Sequence, residues 1–387
     1  IGNVPHLRFP EFSGEWEKNN LSKFSSKITK KNKSNFINNV LCNSANLGII
    51  PQNDYFDRDI ANADNTDSYY IIEQGDFVYN PRKSTAAPYG PVNIYNGEKP
   101  GIISPLYLCF SVFNISPSFL FYRFKSSVWH PYVYSHGDTG VRYDRVSIKD
   151  DVFFDMPIYT PTQNEQEKIA TLLSLIDERI ATQNKIIEDL KKLKSAIVDK
   201  LYSSTNGKTY SFCQLFEVVN EKNKKLAYKN VLSASQELGM IERSNINIDI
   251  KFEQESISGY KIVRKGDYVV HLRSFQGGFA FSDTTGICSP AYTILRPNDL
   301  VVYGYLSHFF TSKPFIKSLK LVTYGIRDGR SINVDEWLDM PILLPSAQEQ
   351  MRILTIVNAI DAKLHNEAKV QFCLSSQKSY LLNTMFI

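Results

Sequence analysis

Two short strings in the sequence have the residue types of cofactor-binding motifs. Gly-Lys-Thr at 207–209 matches the end of the G-x-x-x-x-G-K-T loop that binds nucleotide phosphates, but Tyr202 stands at the position of its first glycine. Asn-Pro-Arg at 80–82 is close to the Asn-Pro-Pro-aromatic turn of enzymes that methylate a flipped adenine, but Arg82 replaces the second proline. Because neither string can form its full cradle, we expect no ATP hydrolysis, methyl transfer or DNA cleavage by this chain.

The cysteines and histidines indicate no metal centre. The five cysteines and six histidines contain neither a Cys-x-x-Cys pair nor a histidine pair at metal-ligand spacing. We therefore predict no metal site and no disulfide framework. We expect reduced, buried thiols at Cys42, Cys109, Cys213, Cys288 and Cys373.

Bulk composition is that of an ordinary globular protein. Of its 387 residues 43% are hydrophobic and 22% charged, and the net charge of +4 permits a polyanionic partner without demanding one. No apolar run approaches the roughly 18 residues of a membrane span, and the residues after Ile1 form no basic-then-apolar leader. A cytoplasmic protein of two or three domains, with no membrane contact, is expected.

The stretch from Pro161 to Leu201 is predicted to be one long helix. Thr162 and Glu165 have the spacing of a capping box, which marks its start. About 40 residues at about 1.5 Å each make a rod of roughly 60 Å, longer than a compact domain requires. A heptad seam against one partner helix is predicted, with Gln183, Arg179 and Lys200 at its polar positions and apolar residues at Ile169, Leu172, Ile176, Ile186, Leu190, Leu193 and Ile197.

A second stretch, Pro345 to Ile387, repeats this pattern. Ser346 and Glu349 again have the spacing of a capping box. Its prolines, glutamates and isoleucines lie 184 residues after those of the first stretch, so we predict that the two helices pair antiparallel. The predicted partner seam consists of Ile353, Ile356, Val357, Ile360, Leu364, Val370, Leu374 and Leu381.

The repeat extends through the rest of the chain. An offset of 191 residues relates Gly75-Asp76 to Gly266-Asp267, and one of 185 relates Ser104-Pro105 to Ser289-Pro290. Each unit is predicted to be α+β, a strand-rich domain followed by a long helix. The predicted boundaries are 1–159 for the first domain with its N-terminal lead-in, 160–203 for the central helix, 204–344 for the second domain and 345–387 for the C-terminal helix.

This duplicated order resembles the specificity (S) subunit of type I restriction-modification systems. The resemblance covers nearly the whole chain and rests on the lead-in LRFPEFSGEWE, the strands GDFVYNPRKS and GDYVVHLRS, the pair GIISP and GICSP, and the helix entries MPIYTPTQNEQEKI and MPILLPSAQEQMRI. It departs from a perfect duplication in one place, because the second unit lacks the Gly-x-Trp of Gly14 and Trp16.

The resemblance implies a protein that reads double-stranded DNA and is not itself an enzyme. In that family, two target recognition domains each bind one half of a split, asymmetric site. An antiparallel, pseudo-twofold coiled coil fixes their separation and docks two methyltransferase (M) subunits, which restriction (R) subunits join. S-adenosylmethionine, ATP and Mg would then belong to the partner subunits.

Candidate DNA contacts are the basic and polar residues on turns that follow strands, because Arg, Gln and Asn recognise bases and Lys mainly neutralises phosphate. In the first domain they are Asn80, Arg82, Lys83, His136, Arg142, Tyr143 and Arg145. In the second they are Arg273, Ser274, Gln276, Tyr324, Arg327 and Arg330. The lysine runs, which form either a phosphate clamp or a merely solvated surface, are Lys30, Lys31, Lys33, Lys222 and Lys224.

Two alternatives stay open at this point. Arg142 and Arg327 match between the repeats, which is more typical of a phosphate contact or a loop brace than of base readout. The whole chain could also be an architectural coiled-coil adaptor whose domains bind protein, in which case it would show no salt-dependent binding to DNA. A third reading, a methyltransferase lacking its catalytic half, is disfavoured by the absence of cofactor-binding strings.

Overall fold

The computed structural model describes residues 2–33, 36–55, 66–137, 144–235, 238–245, 254–271, 278–324 and 331–387. The chain divides into two compact units. The first consists of Ile1–Gln183 with Val370–Ile387, and the second of Asn184–Lys369. Each unit therefore contains one strand-rich part and one half of each long helix.

The first unit is built on small, mostly antiparallel sheets. Its strands are β1 (Glu17–Asn20), β2 (Ser25–Lys27), β3 (Val40–Ser44), β4 (Gly48–Pro51), β5 (Tyr70–Ile72), β6 (Phe77–Tyr79), β7 (Val92–Ile94), β8 (Gly101–Ile103), β9 (Leu108–Val112) and β10 (Pro157–Thr160). Its helices are α1 (Gln52–Tyr55), α2 (Pro117–Lys125), α3 (His130–His136), α4 (Asp150–Phe154) and the first half of α5 (Gln163–Ser203). The sheet orders are β2-β9-β6-β7, β4-β3-β8-β5 and β1-β10.

The second unit repeats this plan. Its strands are β11 (Lys208–Ser211), β12 (Phe216–Val219), β13 (Leu232–Ser235), β14 (Gly239–Glu242), β15 (Lys261–Val263), β16 (Tyr268–Val270), β17 (Phe279–Phe281), β18 (Gly286–Cys288), β19 (Thr293–Pro297), β20 (Thr323–Tyr324), β21 (Ser331–Ile332) and β22 (Pro341–Leu344). Its helices are α6 (Phe212–Leu215), α7 (Tyr305–Phe309), α8 (Lys313–Ser318), α9 (Val334–Leu338) and the first half of α10 (Ala347–Thr384). The order β12-β19-β16-β17 matches β2-β9-β6-β7 of the first unit.

Strand registers show that the repeat is structural. In the first unit Lys27 lies opposite Phe110 and Tyr70 opposite Ile103. In the second unit the equivalent ladder pairs are Val218 with Leu295 and Lys261 with Cys288. The predicted α+β class, with two strand-rich domains and two long helices, is confirmed.

Each unit has a core rich in aromatic side chains. In the first, Phe153 of α4 stacks on Tyr79 of β6 with ring centroids 4.7 Å apart. In the second, Trp337 of α9, which occupies the place of Phe153, stacks on Phe212 at 4.2 Å. Buried aromatic rings of this size supply most of the apolar area that holds short strands together.

The helix seam follows the predicted heptad in half of its positions. The inward residues of α5 alternate at spacings of four and three, and none is exposed: Ile169, Leu173, Ile176, Ile180, Gln183, Ile187, Leu190, Lys194, Ile197 and Leu201. Their counterparts 184 residues later are also buried or half-buried: Ile353, Val357, Ile360, Leu364, Glu367, Gln371, Leu374, Lys378, Leu381 and Met385.

The other half of the predicted seam is displaced by one residue. Leu193 is wrong as a seam position, because its side chain is 51% exposed and the next residue, Lys194, faces inward. Leu172 is half-buried and packs against the core of the first unit, beside the seam residue Leu173. Ile356 is likewise half-buried, beside the fully buried Val357. Leu172 and Leu173, like Ile356 and Val357, are adjacent apolar residues, so either one could have been assigned to the seam. In each pair the second residue is the one that packs at the seam.

Ion pairs fix the direction in which the helices run within each unit. In the first unit Lys378 of α10 pairs with Asp177 of α5. In the second unit Lys194 of α5 pairs with Asp361 of α10, at 2.5 Å. In the first unit Leu173, which precedes Asp177 in α5, shares a core with Met385, which follows Lys378 in α10. In the second unit Val198, which follows Lys194, shares a core with Val357, which precedes Asp361. Antiparallel pairing of the two helices is therefore confirmed.

Two equivalent glutamines dock the helix starts onto the domains. Gln166 accepts a hydrogen bond from Ser116 N (2.9 Å) and donates to Pro161 O, while Gln350 accepts from Val302 N (2.8 Å) and donates to Pro345 O. These contacts give the glutamine of each P-x-x-x-E-Q string a structural role.

The carboxylates expected to complete two capping boxes have other partners. The backbone N–H of Glu349 donates to Ser346 Oγ at 3.3 Å, as the predicted cap requires, but the Glu349 side chain binds Arg352. The side chain of Glu165 binds Arg8 and Trp16 instead.

The sequence suggested that all five thiols are buried, but only three of them are. Cys42, Cys109 and Cys288 are buried, and burial raises the pKa of Cys109 and Cys288 to about 12. Cys213 and Cys373 are exposed, so for these two the expectation of burial is wrong. None of the five forms a disulfide.

Candidate nucleic-acid interface

The lysine runs form equivalent loops, each held by a buried asparagine. Asn32 donates to Ile37 O (2.9 Å) and accepts from Ile37 N (3.3 Å). Asn223 makes the same two bonds to Tyr228, at 2.8 and 3.2 Å. A side chain that satisfies both backbone groups of one residue fixes the loop between them.

The lysines beside these asparagines point into solvent. Lys31 and Lys222 form matching bridges with Tyr70 and Lys261. The side chains of the predicted clamp are all exposed, at Lys30, Lys31, Lys33, Lys222 and Lys224. The structure thus presents the same positive groups at the same place on each domain. The asparagines were missed in the sequence because they lie inside charge runs, although both obey the 191-residue offset.

A second candidate surface of the first domain joins two chain segments. Arg82 and Arg145 form a backbone bridge, and Lys83 N donates to Asp144 O at 2.8 Å. Arg82 is exposed and Arg145 half-buried, each with its Nε 3.9 Å from Asp144 Oδ2. The structure therefore places Arg145 beside Arg82 and Lys83, which precede it by more than 60 positions in the sequence.

Asn80 has a local role at the base of this surface. Its side chain donates to Asn43 O (3.2 Å) and accepts from Arg82 N (3.0 Å). Its carbonyl lies so close to Gly90, which has a φ of +85°, that a Cβ there would clash. Asn80 thus shapes the turn that carries Arg82.

His136, the last residue of α3, is exposed but locally engaged. Its ring stacks on Tyr132 with centroids 4.1 Å apart, and Nδ1 lies 2.9 Å from Tyr132 O.

The other predicted contacts lie outside the described residues. These are Arg142, Tyr143, Arg273, Ser274, Gln276, Arg327 and Arg330. Tyr324 belongs by its backbone to β20, and its side chain is outside the described part as well.

The first domain also contains features that the sequence did not reveal. A cavity of about 390 Å³ lies beside Arg145, lined by Lys27, Tyr70, Leu106, Tyr107 and Asp150 among others. Elsewhere Lys125 Nζ contacts Asn93 Oδ1 at 2.5 Å, and Asn93 in turn donates to Asn43 Oδ1 at 2.6 Å. These side chains come from widely separated strands, so no local motif announces them.

The strings that resemble cofactor motifs have structural roles. A Cβ at Gly207 would clash with the backbone of Leu344, which explains the glycine that precedes β11. Among the described residues no group of three metal-ligating side chains occurs. In the same part of the chain no helix is long and apolar enough to cross a membrane.

Comparison with known proteins shows the fold. Neither a protein-family model nor a curated protein sequence matches the chain. Twelve chains of solved structures do, and three of them match over nearly the whole length of this chain. One, from work on "complex assembly" and "conformational transition of the type I R-M system", has 13% identity and a TM-score of 0.62, covering 96% of this chain and 97% of that chain.

The other two are crystal structures of single subunits. The type I restriction-modification S subunit from M. genitalium has 14% identity and a TM-score of 0.53, covering 99% of both chains. The chain has the fold of a type I S subunit. The HsdS subunit from Thermoanaerobacter tengcongensis agrees, with 14% identity, a TM-score of 0.50 and 98% coverage of both chains. The S-subunit fold accounts for the duplicated domains and the two long helices.

Proposed function

We propose that this chain is the DNA sequence-recognition subunit of a type I restriction-modification complex. Each strand-rich domain reads one half of a bipartite, asymmetric site, and the chain performs no chemistry itself. The proposal rests on one observation above all: both domains present exposed lysines on loops fixed by an equivalent buried asparagine.

This observation separates two kinds of DNA contact. The sugar-phosphate backbone is the same in every half-site, so residues that bind it should recur in both domains. The lysines beside Asn32 and Asn223 recur in this way. Residues that read bases should differ where the half-sites differ. In the turn bearing Arg82 the flanking Asn80 and Lys83 are replaced by His271 and Ser274, while Arg82 itself is matched by Arg273.

We also propose that the long helices dock M subunits, which R subunits then join in the cytoplasm. Support comes from apolar side chains that α5 exposes away from its seam. In the second unit Ile186 and Leu193 are seven residues apart, on the same side of the helix, and 37% and 51% exposed. S-adenosylmethionine, ATP and Mg would be bound by those partners and not by this chain.

Salt-dependent binding of the full chain to duplex DNA tests the proposal. Lys31→Ala and Lys222→Ala should each reduce the slope of log affinity against log salt by about 0.9, because each removes one phosphate contact. Lys191→Ala, an equally exposed lysine on α5, is the control and should leave the slope unchanged. Binding to DNA that does not depend on salt, or no binding, would favour the architectural adaptor.

Docking of the methyltransferase has a separate test. Leu193→Asp should prevent co-purification with an M subunit while leaving DNA binding by the isolated chain intact, because Leu193 belongs to α5 and to neither lysine loop. Retention of the M subunit by this variant would place the docking surface elsewhere.

A further inference from the structure

The cavity beside Arg145 combines hydrogen-bond donors and an acceptor. Lys27 Nζ pairs with Asp150 Oδ2 at 2.5 Å, with both side chains nearly half exposed. Other polar residues of the lining are Tyr70, Tyr79, Tyr107, Arg145 and Ser147. A carboxylate has about four lone-pair positions, so its pair with Lys27 leaves Asp150 able to accept further bonds.

Arg145 has an unused donor at this cavity. Its Nε is shielded from solvent and makes no hydrogen bond among the described residues, and Asp144 Oδ2 at 3.9 Å is too far to accept one. A shielded donor without an acceptor costs free energy, and a ligand that supplies an acceptor recovers it.

The second domain keeps the frame of this site and changes its lining. Tyr107 N donates to Ser104 O and Tyr292 N to Ser289 O, both at 3.1 Å, so the loop repeats. The polar partners do not repeat, because the equivalent position of Lys27 is Val218 and that of Tyr70 is Lys261.

The helix that follows changes in the same way. Asp150 begins α4 and Val334 begins α9, 184 residues later, and the two helices carry the equivalent residues Phe153 and Trp337. The ion pair of the first domain is thus replaced by two valines, Val218 and Val334. The 185-residue offset that relates Ser104 to Ser289 pairs Arg145 with Arg330, which lies outside the described residues, so the change of lining concerns Lys27, Tyr70 and Asp150.

We propose that this cavity is where the first domain reads a G·C base pair of its half-site, an inference that rests on the proposed DNA-recognition function. In the major groove guanine offers two acceptors, N7 and O6, which suit the Arg145 guanidinium. Cytosine offers the N4 donor, which suits the Asp150 carboxylate. A phosphate contact would not explain a lining that changes between domains, since phosphate is common to both half-sites.

The second domain should have a different preference at the equivalent base pair. Val218 and Val334 offer neither donor nor acceptor, but an apolar side chain suits the thymine methyl group. Replacing the Lys27–Asp150 pair by valines, or Val218 and Val334 by Lys and Asp, should therefore change the base preference only in the half-site of the altered domain.

Selection of binding sites from random duplex DNA by the full chain tests the inference. Wild type should return two half-sites, the first with a G·C pair. Arg145→Ala should lower discrimination at that pair by roughly 5- to 150-fold and leave the second half-site unchanged. Lys27→Val with Asp150→Val should admit A·T at the same position, and the reciprocal change, Val218→Lys with Val334→Asp, should alter only the second half-site.

The possible failures are distinguishable. If wild type selects no sequence at all, the proposed function fails. If wild type selects two half-sites but the variants keep the first one unchanged, the reading cavity is assigned wrongly. Uniform weakening across all sequences would make the cavity a phosphate contact and overturn the inference. Unchanged amide hydrogen exchange in each variant establishes that the first domain is still folded.

Discussion

Arg8 and Glu165 form a two-point ion pair that joins the N-terminal lead-in to the start of α5. Arg8 Nε and Nη2 lie 2.7 and 2.8 Å from the two carboxylate oxygens, and the Glu165 side chain is fully buried. Trp16 Nε1 donates to the same carboxylate at 3.3 Å. The hydrogen bonds from Arg8 to Glu165 are the main reason that the pKa of Arg8 is raised. The lead-in, which the second unit lacks, is thus bound to the first unit.

Removal of this carboxylate should destabilise the first unit. Glu165→Ala leaves Arg8 and Trp16 without their acceptor in a buried place, at a cost of roughly 3–5 kcal/mol in the free energy of unfolding. The matched control is Glu349→Ala, since Glu349 is the repeat counterpart but pairs with Arg352 in solvent. Amide hydrogen exchange should show faster opening of the first unit only in Glu165→Ala. Equal protection in both variants would contradict the prediction.

Lys125 is a half-buried cation whose side chain contacts an amide and an aromatic ring. It lies 2.5 Å from Asn93 Oδ1 and over the ring of Phe121, 5.0 Å from its centroid. Burial, with a smaller contribution from Lys378, lowers the pKa of Lys125 to about 8 from its ordinary value of 10.5. The second unit has Ala234 and Ala280 where the first has Asn43 and Asn93, so this polar cluster belongs to one domain only.

Lys125→Met should stabilise the protein at pH 7, by an amount that shrinks as the pH rises. Between about pH 8 and 10.5 the unfolded chain keeps the Lys125 proton while the folded chain releases it, so wild-type stability rises through that window relative to the variant. The expected difference at pH 7 is on the order of 1 kcal/mol, reduced by the solvent that reaches this side chain. Urea unfolding of both proteins at pH 7 and 10 measures it. A difference that does not change with pH would show that Lys125 keeps an ordinary pKa.

The sequence predicted the helices and the repeat because both depend on spacing alone. Antiparallel pairing followed from two apolar stripes of equal register. The frame was displaced at Leu193 because Lys194 turns inward, where its aliphatic stem packs and its ammonium group reaches Asp361. Periodicity counts apolar residues and gives no weight to a lysine that finds a carboxylate on the partner helix.

The candidate site was only partly predictable, for a related reason. Arg82 and Arg145 were identified because they lie on turns predicted to follow strands. The β-bridge between them joins two segments that no local sequence pattern connects. Lys27, Tyr70 and Asp150 were missed because each looks ordinary in its own segment. Comparison of the two repeats, position by position after the strand ladders are aligned, is the signal that distinguishes them.

Arg82→Ala should relax discrimination at one base pair of the first half-site. The Arg82 side chain is 67% exposed, and its ion-pair partner among the described residues is the carboxylate of Asp144 at 3.9 Å, so its guanidinium is available to a ligand. A lost bidentate contact to guanine costs about 1–3 kcal/mol at that position. Competition between duplexes that differ at single base pairs measures the loss, and Lys99→Ala, an exposed cation of the same domain, is the control. Equal weakening for every duplex would assign Arg82 to phosphate.

The long helices should set the length of the unread spacer between the half-sites. Gln183 and Glu367 are equivalent seam positions, 184 residues apart, so a heptad inserted beside each keeps both seams in phase. Seven residues lengthen each helix by roughly 10 Å. At about 3.4 Å for each base pair, the selected spacer should grow by about three base pairs while both half-sites stay the same. A variant that replaces the heptad at the same place without lengthening it controls for altered helix sequence and should keep the original spacer. Return of the original spacer by the lengthened protein would mean that the helices do not determine the separation of the half-sites.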